Sequence, residues 1–473
     1  MTTFSIQNFG CRATEADASA LRGELLARGL AQVQEPASAN VIVLNTCTVT
    51  AAADSQAREA VRKLHRANPD AQIIVTGCYA QRAPEEIASI GGVAWVVGNS
   101  HQSEIPRLVG AVTAPNTPSG ATVASDGPQR IGADRATPDF VPLAQIAEDE
   151  MSLARGPAKI LTGDIFAQTS VQIAPAGSLA GDRTRPILKV QDGCNNRCSY
   201  CVIPLVRGRS RSLPPDTVVD EVRQLHAACA KEIVLSGINL GSYGRDLAPR
   251  AGLPNLVRRI LDETEIERIR FSSIELQDVT EDFVSLMAAS NRLARHFHVP
   301  LQSGSDRILR AMHRWYRTEH YAQRIELIRR LLPEAAIGAD VIVGFPGETD
   351  EDFAATCDFI ERLPFTYLHV FSFSERPGTG AQERTNTVAQ PLIRERAREL
   401  RALGQKKSAD FRATQSGRVA RVLTLNRRGE NWTDALTGNY LKVRLAGLHP
   451  ANEWHEVRIT QADNLVGSLS FRK

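Results

Sequence analysis

The chain has no run of about 18 apolar residues, which excludes a membrane-spanning helix. Its N-terminus, MTTFSIQ, has neither a basic start nor a long apolar stretch, so no secretory signal is expected and the reading is cytoplasmic. Cysteine is scarce, 8 in 473 residues. Without a secretion signal, that count argues against a disulfide framework and for thiols or metal ligands in a reducing compartment. Overall charge is small, +3. No internal repeat stands out. What remains is an ordinary globular composition, 42% hydrophobic and 23% charged, long enough for about three domains.

Charge is unevenly placed. From residue 381 to 473, 17 Lys and Arg stand against 9 Asp and Glu. A basic C-terminal piece on a slightly acidic body suggests a polyanionic partner, or only a solvated basic face.

The most informative segment is Gly193-Cys194-Asn195-Asn196-Arg197-Cys198-Ser199-Tyr200-Cys201. Three cysteines at C-x3-C-x2-C on one short loop are suited to surround an iron–sulfur cluster. A cubane with three protein ligands keeps one iron open for a substrate or cofactor. The alternatives are a zinc knuckle or three unrelated thiols. Zinc generally takes a fourth Cys or His at finger spacing, and none follows Cys201 closely.

The first hundred residues alternate strand and helix. Strands are expected at 3–7, 40–45, 72–76 and 93–97, with helices at 15–28 and 51–68 between them. The pattern implies a doubly wound parallel sheet. Cys11, Cys47 and Cys78 each follow one of these strands. Ligands bind at the carboxyl ends of parallel strands, so the three thiols are expected to converge. Gly10 and Gly77 precede two of them, where backbone must turn closely. Buried packing is the plainer reading of each cysteine alone.

Residues 113–182 are rich in Ala, Pro, Gly, Ser and Thr and read as a low-order linker or insertion; VPLAQI and VQIAPAG are its candidate strands. From 186 to 373 six strand–helix units follow, with strands at 187–191, 233–236, 269–273, 297–300, 339–343 and 367–371 and helices such as 216–230 and 318–332. This implies an open partial (β/α)6 barrel with its chemistry on the loops after the strands. A charged helix is expected at 395–411, and about five short strands at 417–471 form a small basic all-β module of a kind that often binds nucleic acid.

The motifs NTCTVT, TGCYAQ, the triplet running on as CVIPLVRGRSRS, LSGINLGSYG, SSIE, PLQSGSDRILRAMHR and DVIVGFPGET together resemble the radical S-adenosylmethionine (SAM) methylthiotransferases. The resemblance covers nearly the whole chain, with 111–182 its weak part. It implies four parts: residues 1–112, an N-terminal α/β domain with an auxiliary cluster; 113–182, the linker; 183–414, the radical-SAM partial barrel; and 415–473, a TRAM-like β module.

It further implies two 4Fe–4S clusters. One, on Cys194, Cys198 and Cys201, would reduce bound SAM so that a 5′-deoxyadenosyl radical takes the C2 hydrogen of an adenine, a C–H bond beyond acid–base chemistry. The other, on Cys11, Cys47 and Cys78, would carry the sulfur that a second SAM methylates; the plainer alternative is a cluster that only stiffens the domain. SAM contacts are implied for Tyr200, Ser236, Gly237 and Glu275. More plainly, Tyr200 shields the cluster and Glu275 pairs with an arginine such as Arg270. Gln302 and Asp340 also fall near strand ends. Cys229 and Cys357 read as buried packing residues on helices.

Among subgroups, the wording of NTCTVT, GCYAQ and DGCNNRC is most similar to the enzymes acting on threonylcarbamoyladenosine beside the anticodon of tRNA. Related enzymes act on isopentenyladenosine in tRNA or on an aspartate of a ribosomal protein. A reading from another class is a non-catalytic RNA-binding protein whose cysteines hold metal. The expected partners are a tRNA anticodon stem–loop, an electron donor and a sulfur source, with no membrane. Arg418, Arg421, Lys442 and Arg444 are candidates for phosphate contacts, and Trp432 and Tyr440 for base stacking or module packing.

Overall fold

A computed structural model describes residues 2–112, 158–172, 184–461 and 466–469. The first unit is a six-stranded, all-parallel sheet ordered β2-β1-β3-β4-β5-β6. Its strands are β1 (Thr3–Asn8), β2 (Ala31–Gln32), β3 (Val41–Thr46), β4 (Gln72–Gly77), β5 (Val93–Gly98) and β6 (Lys159–Leu161). The helices between them are α1 (Arg12–Ala27), α2 (Ala51–Ala67), α3 (Cys78–Arg82), α4 (Pro84–Ala88) and α5 (Ile105–Val112). Alternate residues of β3 and β4 face opposite layers. Ile42, Leu44, Ile73 and Val75 pack on Ala57 and Val61 of α2. Val41, Val43 and Ile74 pack on Leu21 and Leu25 of α1 and Leu108 of α5. The sheet is therefore doubly wound, as expected.

One boundary is corrected. β6 lies inside the stretch read as linker, yet it pairs in parallel with β5, Trp95 against Lys159. The linker reading of 158–161 is overturned by this edge strand. VPLAQI, and VQIAPAG beyond its first two residues, lie outside the described residues.

The second unit contains β7 (Ile187–Asp192), β8 (Arg211–Ser212), β9 (Glu232–Gly237), β10 (Arg268–Phe271), β11 (His296–His298), β12 (Ala336–Val343) and β13 (Tyr367–Ser372). Two sheets, β10-β9-β7-β8 and β11-β12-β13, meet through a parallel bridge between Ile269 and Leu293. Apart from the short antiparallel β8, six parallel strands form the expected partial barrel. Its helices are α6 (Ile203–Arg207), α7 (Pro215–Ala227), α8 (Leu253–Glu263), α9 (Glu281–Ala289), α10 (Asp306–Ala311), α11 (Thr318–Leu331), α12 (Asp350–Arg362) and α13 (Gln390–Ala413).

Strand alternation sorts this barrel into two chemistries. Leu188, Val190, Ile233, Leu235, Phe297, Val299, Ile337 and Val341 face the helices in one apolar core. Many of the intervening residues, among them Lys189, Gln191, Glu232, Arg268, Arg270, His298 and Asp340, are polar, while Ile187 and Val234 on the same alternation pack on Ala16 of α1.

The third unit is a closed five-stranded barrel, β14 (Val419–Arg428), β15 (Trp432–Thr437), β16 (Lys442–Ala446), β17 (Trp454–Gln461) and β18 (Val466–Leu469), around Val422, Ala435, Val443, Leu445, Val457 and Ile459. Arg268 and Arg270 fasten it to the larger barrel. Arg268 Nη2 donates to Leu436 O at 3.1 Å, and Arg270 donates to Thr437 O at 3.0 Å and Gly438 O at 3.1 Å. Both guanidinium groups also donate to buried Glu232. Burial works against the charged form of Glu232, yet Arg270, Arg268 and Arg185 hold its carboxyl down to about 2.

Candidate active site

β1, β3 and β4 are neighbours in register, Asn8 beside Asn45 and Thr46 beside Gly77. Their carboxyl ends therefore deliver Cys11, Cys47 and Cys78 to one edge. Cys11 caps α1 and Cys78 opens α3. Gly10 and Gly77 have positive φ, +153° and +98°. A Cβ on Gly10 would stand 3.0 Å from Cys47 Cβ, and one on Gly77 2.4 Å from Thr46 O. Only glycine admits the thiols this closely. Burial pushes the Cys47 thiol up to about 12, and Cys78 and Cys11 nearby add to the rise. Two donors aim at Cys78 Sγ: Arg207 Nε at 3.3 Å and Asn99 Nδ2 at 3.6 Å.

The second cysteine set lies on the loop after β7. Cys194 N–H donates to Gly208 O at 3.1 Å and Cys201 N–H to Cys198 O at 3.1 Å. The loop is pinned from outside by Ser199 N–H on Met312 O at 3.0 Å and Ala381 N–H on Ser199 O at 2.7 Å. Its sulfurs also receive donors: Asn196 N–H to Cys194 at 3.4 Å, Asn239 Nδ2 to Cys194 at 3.9 Å, and Arg314 Nη1 to Cys198 at 3.3 Å. Burial raises the Cys201 thiol to about 12, with Cys198 adding to it. Each set offers three sulfurs, with N–H donors aimed at Cys78 in the first and at Cys194 and Cys198 in the second, a donor chemistry that fits an iron–sulfur cluster with one open iron.

Beside Cys201 of the second set lies a cavity of about 180 Å³. Val49 and Thr50, just past Cys47, line one side; Tyr200 and Cys201 line another, with Gln302 and Asp340. Tyr200 also packs on Ile308, Met312, Phe345 and Ala381. Ser236 is buried at the end of β9, and Gly237 N–H donates to Ser272 Oγ at 3.4 Å. Gln302, set aside from sequence, has φ +70° and donates its N–H to Asp340 O at 2.8 Å. Asp340 Oδ1 lies 3.1 Å from His298 Nε2 and 3.2 Å from His369 Nδ1. Burial opposes the charge of Asp340, but the two imidazoles hold its carboxyl down to about 2. The ligand atoms of these three residues lie within 4.8 Å of one another and can hold a metal ion; His369 Nδ1 is hydrogen-bonded to Asp340, while His298 Nε2 is buried without a hydrogen-bond partner among the described residues.

Two sequence readings are corrected. Glu275 pairs with Arg314, not Arg270, because Arg270 is committed to Glu232 on the neighbouring strand. Cys229 is not a buried helix residue. The helix has ended by Ala228, and Cys229 is exposed with φ +68°. Cys357 is half-buried on α12, against the apolar core. Sequence reasoning missed Arg314 and Arg207. Their only signal was their place in PLQSGSDRILRAMHR and CVIPLVRGRSRS.

Comparison with known proteins agrees with this geometry. Residues 188–360 match the radical SAM superfamily and residues 3–98 the uncharacterized protein family UPF0004. The chain is 34% identical to the threonylcarbamoyladenosine tRNA methylthiotransferase MtaB of Aquifex aeolicus, over 94% of this chain and 96% of that one. It is 33% identical to MtaB of Bacillus subtilis, over 94% and 91%. It is also 33% identical to the tRNA-2-methylthio-N(6)-dimethylallyladenosine synthase of Thermobifida fusca, over 90% and 78%. The solved radical SAM methyltransferase TsrM of Kitasatospora setae shares the fold, with TM-score 0.53 and 16% identity over 80% of this chain and 77% of that one. No helix among the described residues is long and apolar enough to cross a membrane. With both cysteine sets placed and relatives aligned along nearly its full length, the chain belongs to the radical-SAM methylthiotransferases.

Proposed function

We propose that this enzyme places a methylthio group on C2 of N6-threonylcarbamoyladenosine next to the anticodon of tRNA. The observation that carries the reading is the cavity beside Cys201, lined by Val49 and Thr50, just past Cys47, on one side and by Tyr200 and Cys201 on the other. When bound, two 4Fe–4S clusters and SAM supply the electron, the radical and the methylated sulfur. Cys194, Cys198 and Cys201 hold the SAM-binding cluster, and Cys11, Cys47 and Cys78 the auxiliary one. Tyr200, Ser236, Gly237 and Glu275 orient SAM, and Arg314 fixes Glu275. The small cavity leaves little room for water beside a target base, which must be unstacked to enter.

The β module supplies the grip on RNA. A groove of about 420 Å³ at its junction with α13 is lined by Arg412, Arg427, Lys442 and Arg444, with Asp434 as the only carboxylate lining it among the described residues. Arg427, Lys442 and Arg444 stand 3.7–3.9 Å from Asp434, which neutralises only part of their charge. Such a groove suits backbone phosphates. Arg421 is paired with Glu267 and stacks on Trp454, while Tyr440 stacks on His296 and also lines the groove. The tRNA anticodon stem–loop is the macromolecular substrate, acted on in the cytoplasm, with a separate electron donor and sulfur source.

Mass spectrometry of tRNA nucleosides from cells with and without the gene tests the assignment. Loss of 2-methylthio-threonylcarbamoyladenosine, with its precursor accumulating, is expected. Loss of the methylthio-isopentenyl nucleoside instead, or unchanged nucleosides, would overturn it.

A further inference from the structure

Arg207 closes α6, six residues past Cys201, and its side chain is 2% exposed. All three of its nitrogens are used. Nε donates to Cys78 Sγ at 3.3 Å, Nη2 to Asp17 at 2.7 Å, and Nη1 to Asp192 at 3.1 Å. Lys189 pairs with the same two carboxylates, and Arg211 Nη2 reaches Asp192 at 3.3 Å. The network spans both halves of the site. Asp17 lies on α1, which Cys11 caps, and Asp192 ends β7 two residues before Cys194.

The charges do not cancel among these side chains. Among the described residues, Lys189, Arg207 and Arg211 face only Asp17 and Asp192, leaving one positive charge in a buried place. A buried unpaired charge is costly. The group touching the surplus is the sulfur of Cys78, which a cluster holds as thiolate. The network is therefore balanced when Cys78 is a ligand.

We propose that Arg207 is a positioning residue that raises the reduction potential of the cluster on Cys11, Cys47 and Cys78. This rests on the assignment of that cluster made above. A donated N–H and a nearby positive charge both stabilise the more negative, reduced form of a thiolate-ligated cluster, the more so in a low-dielectric interior. Arginine is required because its planar fork serves a sulfur and two carboxylates at once, which an ammonium group cannot do in one geometry. The residue that sets the auxiliary potential thus rides on the peptide carrying the SAM-binding cysteines.

The test is a potentiometric titration of the reconstituted enzyme followed by electron paramagnetic resonance, with the SAM-sensitive signal marking the other cluster. Arg207→Lys keeps the charge but not the fork. Asp17→Asn combined with Arg207→Gln removes one charge of each sign and protects folding. Asn99→Ala removes only the 3.6 Å donor. The auxiliary midpoint is expected to move to more negative potential in all three, most in the double variant and least in Asn99→Ala. The SAM-sensitive midpoint is expected to stay. Unmoved midpoints, or equal movement of both clusters, overturn the role of Arg207. A wild-type enzyme holding about four irons per chain rather than about eight overturns the cluster assignment itself.

Discussion

Glu275 and Cys198 share one arginine: Arg314 pairs with the carboxylate through Nη2 and donates to the sulfur at 3.3 Å through Nη1. The carboxylate on the loop after β10 and the loop that carries Cys194, Cys198 and Cys201 are thereby held in one geometry. Glu275→Gln keeps the size and loses the charge. We expect the SAM concentration giving half-maximal 5′-deoxyadenosine formation to rise about tenfold, equivalent to about 1.4 kcal/mol. An unchanged value would show that the pair does not position SAM.

The two cysteine sets should separate in assay. Cys47→Ala is expected to retain SAM cleavage while losing methylthiolated product and about half of the iron. Cys198→Ala is expected to lose SAM cleavage altogether. Iron analysis and chromatography of 5′-deoxyadenosine decide between this division of labour and a purely structural N-terminal cluster.

Asp54 is the anion of an inter-domain cluster. It accepts from Thr48 at 2.6 Å, Arg82 at 2.9 Å and Arg376 at 2.6 Å. Asp54→Ala strands the buried guanidinium of Arg376 and leaves half-buried Arg82 with Glu86 at 3.7 Å, and a loss of about 3 kcal/mol is expected in urea unfolding. Because Thr48 adjoins Cys47, the variant should also release N-terminal iron faster to a chelator.

Glu232 gives a signed pH dependence. Its carboxyl sits at about 2 in the fold against an ordinary 4.5. A lowered carboxyl contributes stability that is full above 4.5 and is lost as pH falls through 2, about 3 kcal/mol in all. The unfolding free energy of wild type should exceed that of Glu232→Gln near neutral pH, and the gap should close between pH 4.5 and 2. A gap independent of pH would mean that packing, not charge, holds the junction.

RNA grip should follow the groove at α13. Lys442→Ala and Arg444→Ala are each expected to weaken tRNA binding and to reduce the slope of log affinity against log salt by up to about one. Arg421→Ala, whose side chain is held by Glu267 and Trp454, should leave that slope unchanged.

Much of this fold was legible because its strands are short apolar runs with clear ends. Val41 to Leu44 could hardly be anything but a buried strand, and Cys47 directly after it inherits its place from sheet topology. The six barrel strands were readable for the same reason. Illegible were elements without a pattern of their own. β6 has three residues and arrives some sixty positions after the strand it pairs with. β8 has two. Long side chains were harder still. Arg207 and Arg314 reach across domain or loop boundaries to sulfur, and local periodicity does not encode such reach. Cys229 was misread because the helix, read to residue 230, ends at Ala227, a difference of three residues that periodicity does not resolve.

The fastening of the β module through Arg268 and Arg270 has a consequence for substrate choice. Strand carbonyls 436–438 are held by side chains rooted in the catalytic barrel itself. The groove proposed above to grip RNA and the cavity proposed to react are thus fastened to one barrel, like the jaws of a fixed gauge. That proposal predicts selection by span: the target base must sit one set distance along the fold from the phosphates that are gripped, and an RNA of the right sequence but the wrong shape should be refused.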